Sequence, residues 1–338
     1  MFDLIGDVHG YAEELETLLR RLGYRERRGV WRHAERTVLF VGDLVDRGPR
    51  ILEAVRLVRR MEEAGSARVI LGNHEWNLLG YCTPDPARPG DTLRRRTEKN
   101  ANQHRATLEQ LGGELETHLD WIRALPFHLD LGHLRVVHAC WDSPALDRLA
   151  AERRRRGRVT EGFLVDGYTR GNPLRDSAGV VLKGPEIPVP EALSRRDTDG
   201  HRRGTARIRW YLPSDGHTLG SYCLPEIPEL LHTPLPESAR ELARPYPVGA
   251  PLLFVGHFAL VPPTRPAAER LREAAIEQPG HRPVAEPKAE RQADHARLAP
   301  NIVCLDLGVA KPGGALCAYR FDGEPTLDPD RFEVVSRS

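Results

Sequence analysis

Short apolar runs alternate with helical patterns in the first part of the chain. The run Thr37–Val41 is typical of a buried strand because it is rich in β-branched and aromatic residues, and another apolar run covers 67–71. Residues 11–22 and 51–63 repeat apolar positions every three or four residues, which predicts amphipathic helices. Strands that alternate with helices favour parallel β-α-β units, so we predict an α/β fold.

Metal-capable side chains follow five apolar runs, where the predicted strands end. In chain order they are Asp7, His9, Asp43, Asn73, His138 and His257. Taken singly, each is more often a residue with a satisfied hydrogen bond. Their recurrence at five strand ends favours a shared site, because ligands of α/β folds bind at the carboxyl ends of strands. Oxygen and nitrogen ligands without a thiolate indicate a divalent transition metal.

Composition narrows the class of protein without identifying it. The 338 residues are 40% hydrophobic and 29% charged, which is typical of a soluble globular protein. A net charge of +1 gives no global attraction to nucleic acid or anionic lipid. No apolar run approaches the roughly 18 residues of a membrane span, and we see no signal peptide. Five scattered cysteines without a CxxC pair predict reduced thiols in a cytoplasm.

Three motifs and two shorter ones make the pattern specific. GDVHG begins at Gly6, GDLVDRG at Gly42 and GNHE at Gly72, and they are followed by VVHA and VGH. The set resembles the calcineurin-like metallophosphoesterases. Within them it is similar to the phosphoprotein-phosphatase branch, which includes bacterial diadenosine tetraphosphatases. Residues 119–126, 206–213 and 305–316 also resemble segments of those tetraphosphatases.

This resemblance implies a four-layer α/β/β/α sandwich with a centre of two divalent metal ions. The first ion would be held by Asp7, His9 and Asp43, and the second by Asp43, Asn73, His138 and His257. Asp43 would bridge the ions, and a hydroxide between them would attack phosphorus. Manganese is the preferred metal, with iron, zinc and nickel as alternatives.

The resemblance also implies roles around the metals. Arg47 would bind phosphate oxygens through its planar fork, and His74 would act as the general acid. Asp46 would orient His74, whereas Glu75 is expected to be only a carboxylate near a helix start. For a second phosphate-binding arginine we favour Arg209 or Arg207, with the third candidate being Arg170.

Two charged segments interrupt the resemblance within what we predict to be a single domain, 1–338. Residues 142–203 could form a cap over the metal site, although the arginine run 153–156 is more simply a solvated helix face. Residues 265–300 are rich in charge and nearly free of aromatic residues, which favours an exposed helical or flexible insertion.

We therefore predict a two-metal phosphoesterase with a phosphorylated substrate. GNHE slightly favours a phosphomonoester, including a phosphoprotein, whereas 206–213 and 305–316 favour a dinucleoside polyphosphate. No membrane partner or nucleic-acid partner is indicated. The alternative is a non-catalytic binding module that keeps the fold, but such proteins usually lose ligands and none is missing here.

Overall fold

The computed structural model describes residues 1–190, 195–196, 202–260 and 296–337. Its strands are β1 (Phe2–Ile5), β2 (Arg25–Arg27), β3 (Val30–Arg32), β4 (Thr37–Phe40), β5 (Ala67–Val69), β6 (His128–Asp130), β7 (Leu134–Val137), β8 (Glu186–Pro188), β9 (Arg195–Arg196), β10 (Arg202–Arg203), β11 (Thr205–Ile208), β12 (Cys223–Leu224), β13 (Leu252–Val255), β14 (Arg297–Ala299), β15 (Ile302–Cys304), β16 (Asp306–Leu307), β17 (Ala315–Phe321) and β18 (Phe332–Ser336). Its helices are α1 (Ala12–Arg21), α2 (Ile51–Glu63), α3 (Asn73–Cys82), α4 (Glu98–Leu111), α5 (Leu115–Ala124), α6 (Ser143–Arg156), α7 (Glu161–Tyr168), α8 (Pro173–Lys183), α9 (Leu219–Tyr222) and α10 (Glu237–Arg240).

Two large sheets form the frame. The first has the order β16-β17-β1-β4-β5, with β18 beside β17, and its strands β1, β4 and β5 are parallel. The second has the order β14-β15-β13-β7-β6, and its strands β7, β13 and β15 are parallel. The parallel strands predicted from the alternating pattern are therefore present, and they carry their carboxyl ends to one edge of each sheet.

The two sheets pack face to face and are covered by helices. Leu4 of the first sheet shares one buried cluster with Val136 and Phe254 of the second. The neighbouring strand residues point the other way, so that Ile5 packs in a separate cluster that contains Leu15 of α1. This alternation follows from the two-residue period of a strand. It confirms the four-layer α/β/β/α arrangement.

Local sequence explains where the elements begin and end. Helix α2 covers the predicted residues, and α1 lies within 11–22, with Arg20 and Arg21 in its last turn where cations favour the helix dipole. Strand β5 is shorter than the predicted run 67–71. It ends early because the backbone N–H of Leu71 donates to Pro126 O instead of continuing the ladder.

The charged segments are only partly described. Residues 143–183 contain α6, α7 and α8, each with a side chain capping its N-terminus. Arg155 and Arg156 contact Glu152 within α6, and Arg156 also contacts Asp166. The cap role of 142–203 and the single-domain assignment stay predictions. Most of the predicted insertion 265–300 lies outside the described residues, which resume at 296. No helix in the described ranges is long and apolar enough to cross a bilayer.

Candidate metal centre

All six predicted ligands lie in loops or helix starts at the carboxyl ends of β1, β4, β5, β7 and β13. Five of them are buried and His257 is partly buried. The backbone is left-handed at His9, Asp43 and His257, with φ between 46° and 71°. Such backbone is uncommon outside glycine, and it clusters where a chain must aim a side chain at a functional site.

Asp43 lies at the middle of this group. Its Oδ2 atom is 3.4 Å from His138 Nε2 and 3.8 Å from the Nε2 atoms of both His9 and His74. Two sets of potential ligand atoms lie within 4.8 Å of one another. One set comprises His9, Asp43 and His74, and the other comprises Asp7, Asp43 and His138. Asp43 is thus common to two clusters that could each hold an ion. The clusters divide the residues differently from the prediction, because Asp7 groups with His138 instead of His9, and His74 joins His9.

Backbone carbonyls orient two of the imidazoles. Nδ1 of His9 donates to Val45 O at 3.0 Å, and Nδ1 of His138 donates to Val41 O at 2.8 Å. Each hydrogen bond leaves the Nε2 lone pair facing Asp43, which is the arrangement that metal-binding histidines require. Burial, together with the positive charge of Arg47, lowers the pKa of His9 to about 3, so this ring is neutral at pH 7.

Asn73 joins the remaining ligands. Its Oδ1 atom is 3.0 Å from His138 Nε2 and 2.6 Å from His257 Nδ1. The backbone N–H of His257 donates to Asp7 Oδ2 at 3.1 Å, so the loop after β13 contacts the loop after β1. The structure therefore brings all six predicted ligands into one contiguous site.

The residues present fit divalent ions. The Nε2–Oδ2 separations of 3.4 to 3.8 Å are longer than the roughly 2.7–3.2 Å that is usual for hydrogen bonds. They are near the roughly 3.4 Å expected between two ligands that share one tetrahedral ion at about 2.1 Å. Asp7 Oδ1 is buried without a hydrogen-bond partner among the described residues. Burial and the nearby carboxylates of Asp306 and Asp43 raise the pKa of Asp7 well above its usual range, and a bound cation would relieve this.

A second set of buried contacts supports His74. Asp46 Oδ2 accepts from His74 Nδ1 at 2.6 Å and from Gln103 at 3.1 Å. Its Oδ1 accepts from Thr107 at 2.6 Å and from His104 Nδ1 at 3.1 Å. Burial alone would raise the pKa of Asp46, but the hydrogen bonds from His104 and His74 hold it well below its usual range. Asp46 is therefore a carboxylate whose two oxygen atoms are each held by two hydrogen bonds.

Gln103, His104 and Thr107 were not predicted as site residues, because α4 belongs to none of the motifs. In the structure His104 and Thr107 are three residues apart on one helix face, and both are fully buried. Polar side chains on the buried face of a helix need partners, and here the partner is Asp46.

Glu75 has a larger structural part than expected. Its carboxylate accepts hydrogen bonds from the backbone N–H groups of Asp43, Leu44, Val45 and Gly72 at 2.8 to 3.1 Å. The prediction of a simple helix-start carboxylate was therefore incomplete. Glu75 fixes the loop that carries Asp43 onto the start of α3.

Comparisons with known proteins identify the family of this sequence. The sequence profile described as calcineurin-like phosphoesterase matches residues 1–159. The asymmetrical bis(5'-nucleosyl)-tetraphosphatase PrpE of Oceanobacillus iheyensis is 30% identical over 175 residues, which cover 51% of this chain and 69% of that protein. The chain belongs to the calcineurin-like phosphoesterase family. The family resemblance seen in GDVHG, GDLVDRG and GNHE is thereby confirmed.

Other relatives of this chain carry similar names over shorter matches. PrpE of Halalkalibacterium halodurans, also named as asymmetrical, is 50% identical over 81 residues, or 24% of this chain and 33% of that protein. The symmetrical bis(5'-nucleosyl)-tetraphosphatase of Neisseria meningitidis serogroup A is 33% identical over 172 residues, or 48% of this chain and 54% of that protein. This chain spans about a third of the length of the first PrpE relatives it matches.

The candidate phosphate-binding arginines occupy distinct positions. Arg47 is exposed, and its Nη2 is 3.3 Å from His74 Nε2. Nη1 of Arg207 contacts His257 O at 3.4 Å, and its guanidinium lies 5.8 Å from the ring of Phe258. Arg209 instead lies against Tyr211, and Arg170 is exposed beyond the end of α7. Of the three candidates for the second phosphate-binding arginine, Arg207 has the described contact to a ligand loop.

Two glycines of the motifs allow the ligand carboxylates to approach the backbone. A Cβ atom on Gly72 would lie well inside 3.0 Å of Asp43 Oδ1 and of the Asp43 backbone N. A Cβ atom on Gly256 would lie equally close to Asp7 Oδ1. Positions 72 and 256 need glycine, because a side chain at either position would displace the carboxylate that lies against it.

Gly72→Ala is expected to destabilise the protein by about 1–3 kcal/mol, the usual cost of overpacking, and to reduce its metal content. Urea unfolding and metal analysis of the purified variant measure the two effects. The matched control is Gly179→Ala in α8, where a Cβ meets nothing within 4 Å and alanine favours the helix by roughly 0.5–1 kcal/mol. Equal stability of the two variants would contradict the steric explanation.

Proposed function

We propose that this chain hydrolyses dinucleoside polyphosphates with two divalent metal ions, of which manganese is the first choice. The observation that carries the proposal is the position of Asp43, whose carboxylate is shared by two clusters of metal-capable side chains. Such a shared carboxylate is what a centre with two neighbouring ions needs. The ligands proposed for the pair are Asp7, His9, Asp43, Asn73, His138 and His257.

The bound ions would supply Lewis acidity and a nucleophilic water at neutral pH. The protein groups at the entrance of the site would bind the phosphate and protonate the leaving group. Arg47 and Arg207 bind the non-bridging phosphate oxygens from two sides, which favours the charge that develops in the transition state. His74 donates a proton from Nε2 to the leaving oxygen, and Asp46 orients the ring through its hydrogen bond with Nδ1. Because Arg47 is adjacent to His74 Nε2, a phosphate bound by Arg47 also lies beside the proton donor.

The choice of substrate rests on the relatives. The relatives reported above are named bis(5'-nucleosyl)-tetraphosphatases, in both asymmetrical and symmetrical forms. Phosphomonoesters and phosphoproteins are the alternative substrates, and the test below includes one of each. The non-catalytic alternative has no observation in its favour, because all six ligands are present and adjacent. The cytoplasmic location predicted from the cysteines is kept as part of the proposal.

A direct substrate comparison tests this proposal. The protein is stripped with EDTA, reloaded with Mn²⁺, and offered diadenosine tetraphosphate, p-nitrophenyl phosphate and a phosphoserine peptide. We expect kcat/KM to be highest for diadenosine tetraphosphate, with activity lost after EDTA and restored by Mn²⁺. Turnover of the peptide without turnover of the dinucleotide would refute the proposed substrate, and full activity in EDTA would refute the metal requirement.

A further inference from the structure

A cavity of about 480 Å³ opens beside the candidate metal centre. Its walls include Tyr11, Glu13, Glu14, Arg47, Arg50 and Arg337. The volume lies within the range of about 300–1,000 Å³ that is usual for small-molecule sites. None of the roles proposed above, apart from phosphate binding by Arg47, uses this cavity.

Arg47 connects the cavity to the reacting centre. Its guanidinium is 3.3 Å from His74 Nε2, and the same side chain lines the cavity. A phosphate bound by Arg47 would therefore lie at the entrance of the cavity. A substrate that continues beyond this phosphate can extend into the cavity.

The charges in the cavity suit a further phosphate. Arg50 is paired with Glu13 at 2.9 Å, so its charge is compensated. Arg47 and Arg337, by contrast, have no carboxylate within 4.0 Å among the residues that the structure describes. Two guanidinium groups without a carboxylate partner on one cavity wall are a favourable site for phosphate oxygens, which arginine binds through its fork of N–H donors.

The position of Arg337 also suits a nucleoside. Its guanidinium carbon lies 5.4 Å from the centroid of the Tyr11 ring, and that ring is buried. This cation–π contact holds the planar group in place and leaves its other side for a second flat partner such as a nucleobase. Glu14 lines the same cavity, and its carboxylate can accept hydrogen bonds from ribose hydroxyls.

We propose that this cavity binds a nucleoside phosphate, and that Arg337, held against the Tyr11 ring, contacts the nucleotide. The inference rests on the proposed function and deepens it: the cavity would hold the nucleotide that lies beyond the phosphate at the metal centre. A short phosphomonoester would not reach Arg337. Arg337 is thus a specificity-determining residue that a dinucleotide uses and a small substrate does not.

Arg337→Ala tests the inference. In the Mn²⁺-loaded protein we expect this variant to raise KM for diadenosine tetraphosphate about tenfold, since one charge-assisted contact is lost, with little change in kcat. Its kcat/KM for p-nitrophenyl phosphate should stay at the wild-type value. The matched control is Arg21→Ala, which removes an arginine that contacts β18 through Glu333 and Val334 outside the cavity. Equal losses on both substrates, or no loss on the dinucleotide, would overturn the inference.

Calorimetric titration with ADP separates this inference from the proposed function. Weaker ADP binding in Arg337→Ala than in wild type and Arg21→Ala, with inorganic phosphate binding unchanged, supports the nucleotide site even if the dinucleotide is not hydrolysed. Unchanged ADP affinity in Arg337→Ala overturns the nucleotide site even if the wild-type protein hydrolyses the dinucleotide well.

Discussion

Asp43→Asn is expected to lower kcat by on the order of a thousandfold or more and to remove most of the bound metal, while the fold is kept. The reason is the environment of Oδ2, which lies between the Nε2 atoms of His9, His74 and His138. An amide in this position has no negative charge to hold two cations together. The backbone around it has no reason to move, because the Oδ1 atom can still accept the hydrogen bond from the His74 N–H.

The measurement combines metal analysis, circular dichroism and steady-state kinetics on the same purified sample. Asp130→Asn is the matched control, because it makes the same chemical change on the exposed residue at the end of β6. A folded Asp43→Asn protein with wild-type metal content and activity would remove Asp43 from the bridging position. Loss of structure in Asp43→Asn but not in Asp130→Asn would instead make Asp43 a folding determinant.

The sequence was sufficient to predict that the six candidate ligands lie together, because the information is local. Each of Asp7, Asp43 and His138 follows a recognisable apolar run, and parallel strands bring their carboxyl ends to a common edge. The strand ends were therefore predictable to within a residue or two. The only additional assumption was that two sheets, rather than one, contribute these ends, and this came from the family resemblance.

The supports of the site could not be predicted in this way, because they depend on contacts between distant parts of the chain. Asp46 is held by Gln103, His104 and Thr107, which are 57 to 61 residues away. A polar face on a helix normally indicates exposure to solvent, so these residues gave no clear signal. The contact between Tyr11 and Arg337 joins residues near the two ends of the described chain, so no local sequence pattern predicts it.

The choice between Arg207 and Arg209 could not be predicted from the sequence for a different reason. Arg207 and Arg209 are two residues apart, so a continuous strand would place both on the same side. Strand β11 ends at Ile208, and the backbone N–H of Arg209 donates to Tyr222 O. The two side chains consequently have different neighbours, His257 for Arg207 and Tyr211 for Arg209. Choosing between them required the exact end of the strand, which is the least predictable feature of a sequence.

His74→Ala is expected to reduce kcat by about 10²–10⁴-fold for substrates with poor leaving groups, because a general acid typically contributes that much. Phenyl phosphate should lose most, and p-nitrophenyl phosphate should lose far less, since nitrophenolate leaves without a proton. The measurement is kcat for a series of substituted phenyl phosphates, plotted against the pKa of the leaving phenol. His232→Ala, on an exposed residue, is the control.

Metal analysis of His74→Ala distinguishes a role of His74 as a metal ligand from its role as the general acid. His74 Nε2 belongs to the cluster with His9 and Asp43, so a ligand role would also reduce activity in His74→Ala. Loss of a ligand would lower metal content and depress all substrates alike, whatever their leaving group. Loss of an acid would leave the metal bound and make the rate depend more steeply on leaving-group pKa. We expect the second pattern, because the six proposed ligands do not include His74 and its Nε2 atom lies beside the phosphate-binding Arg47.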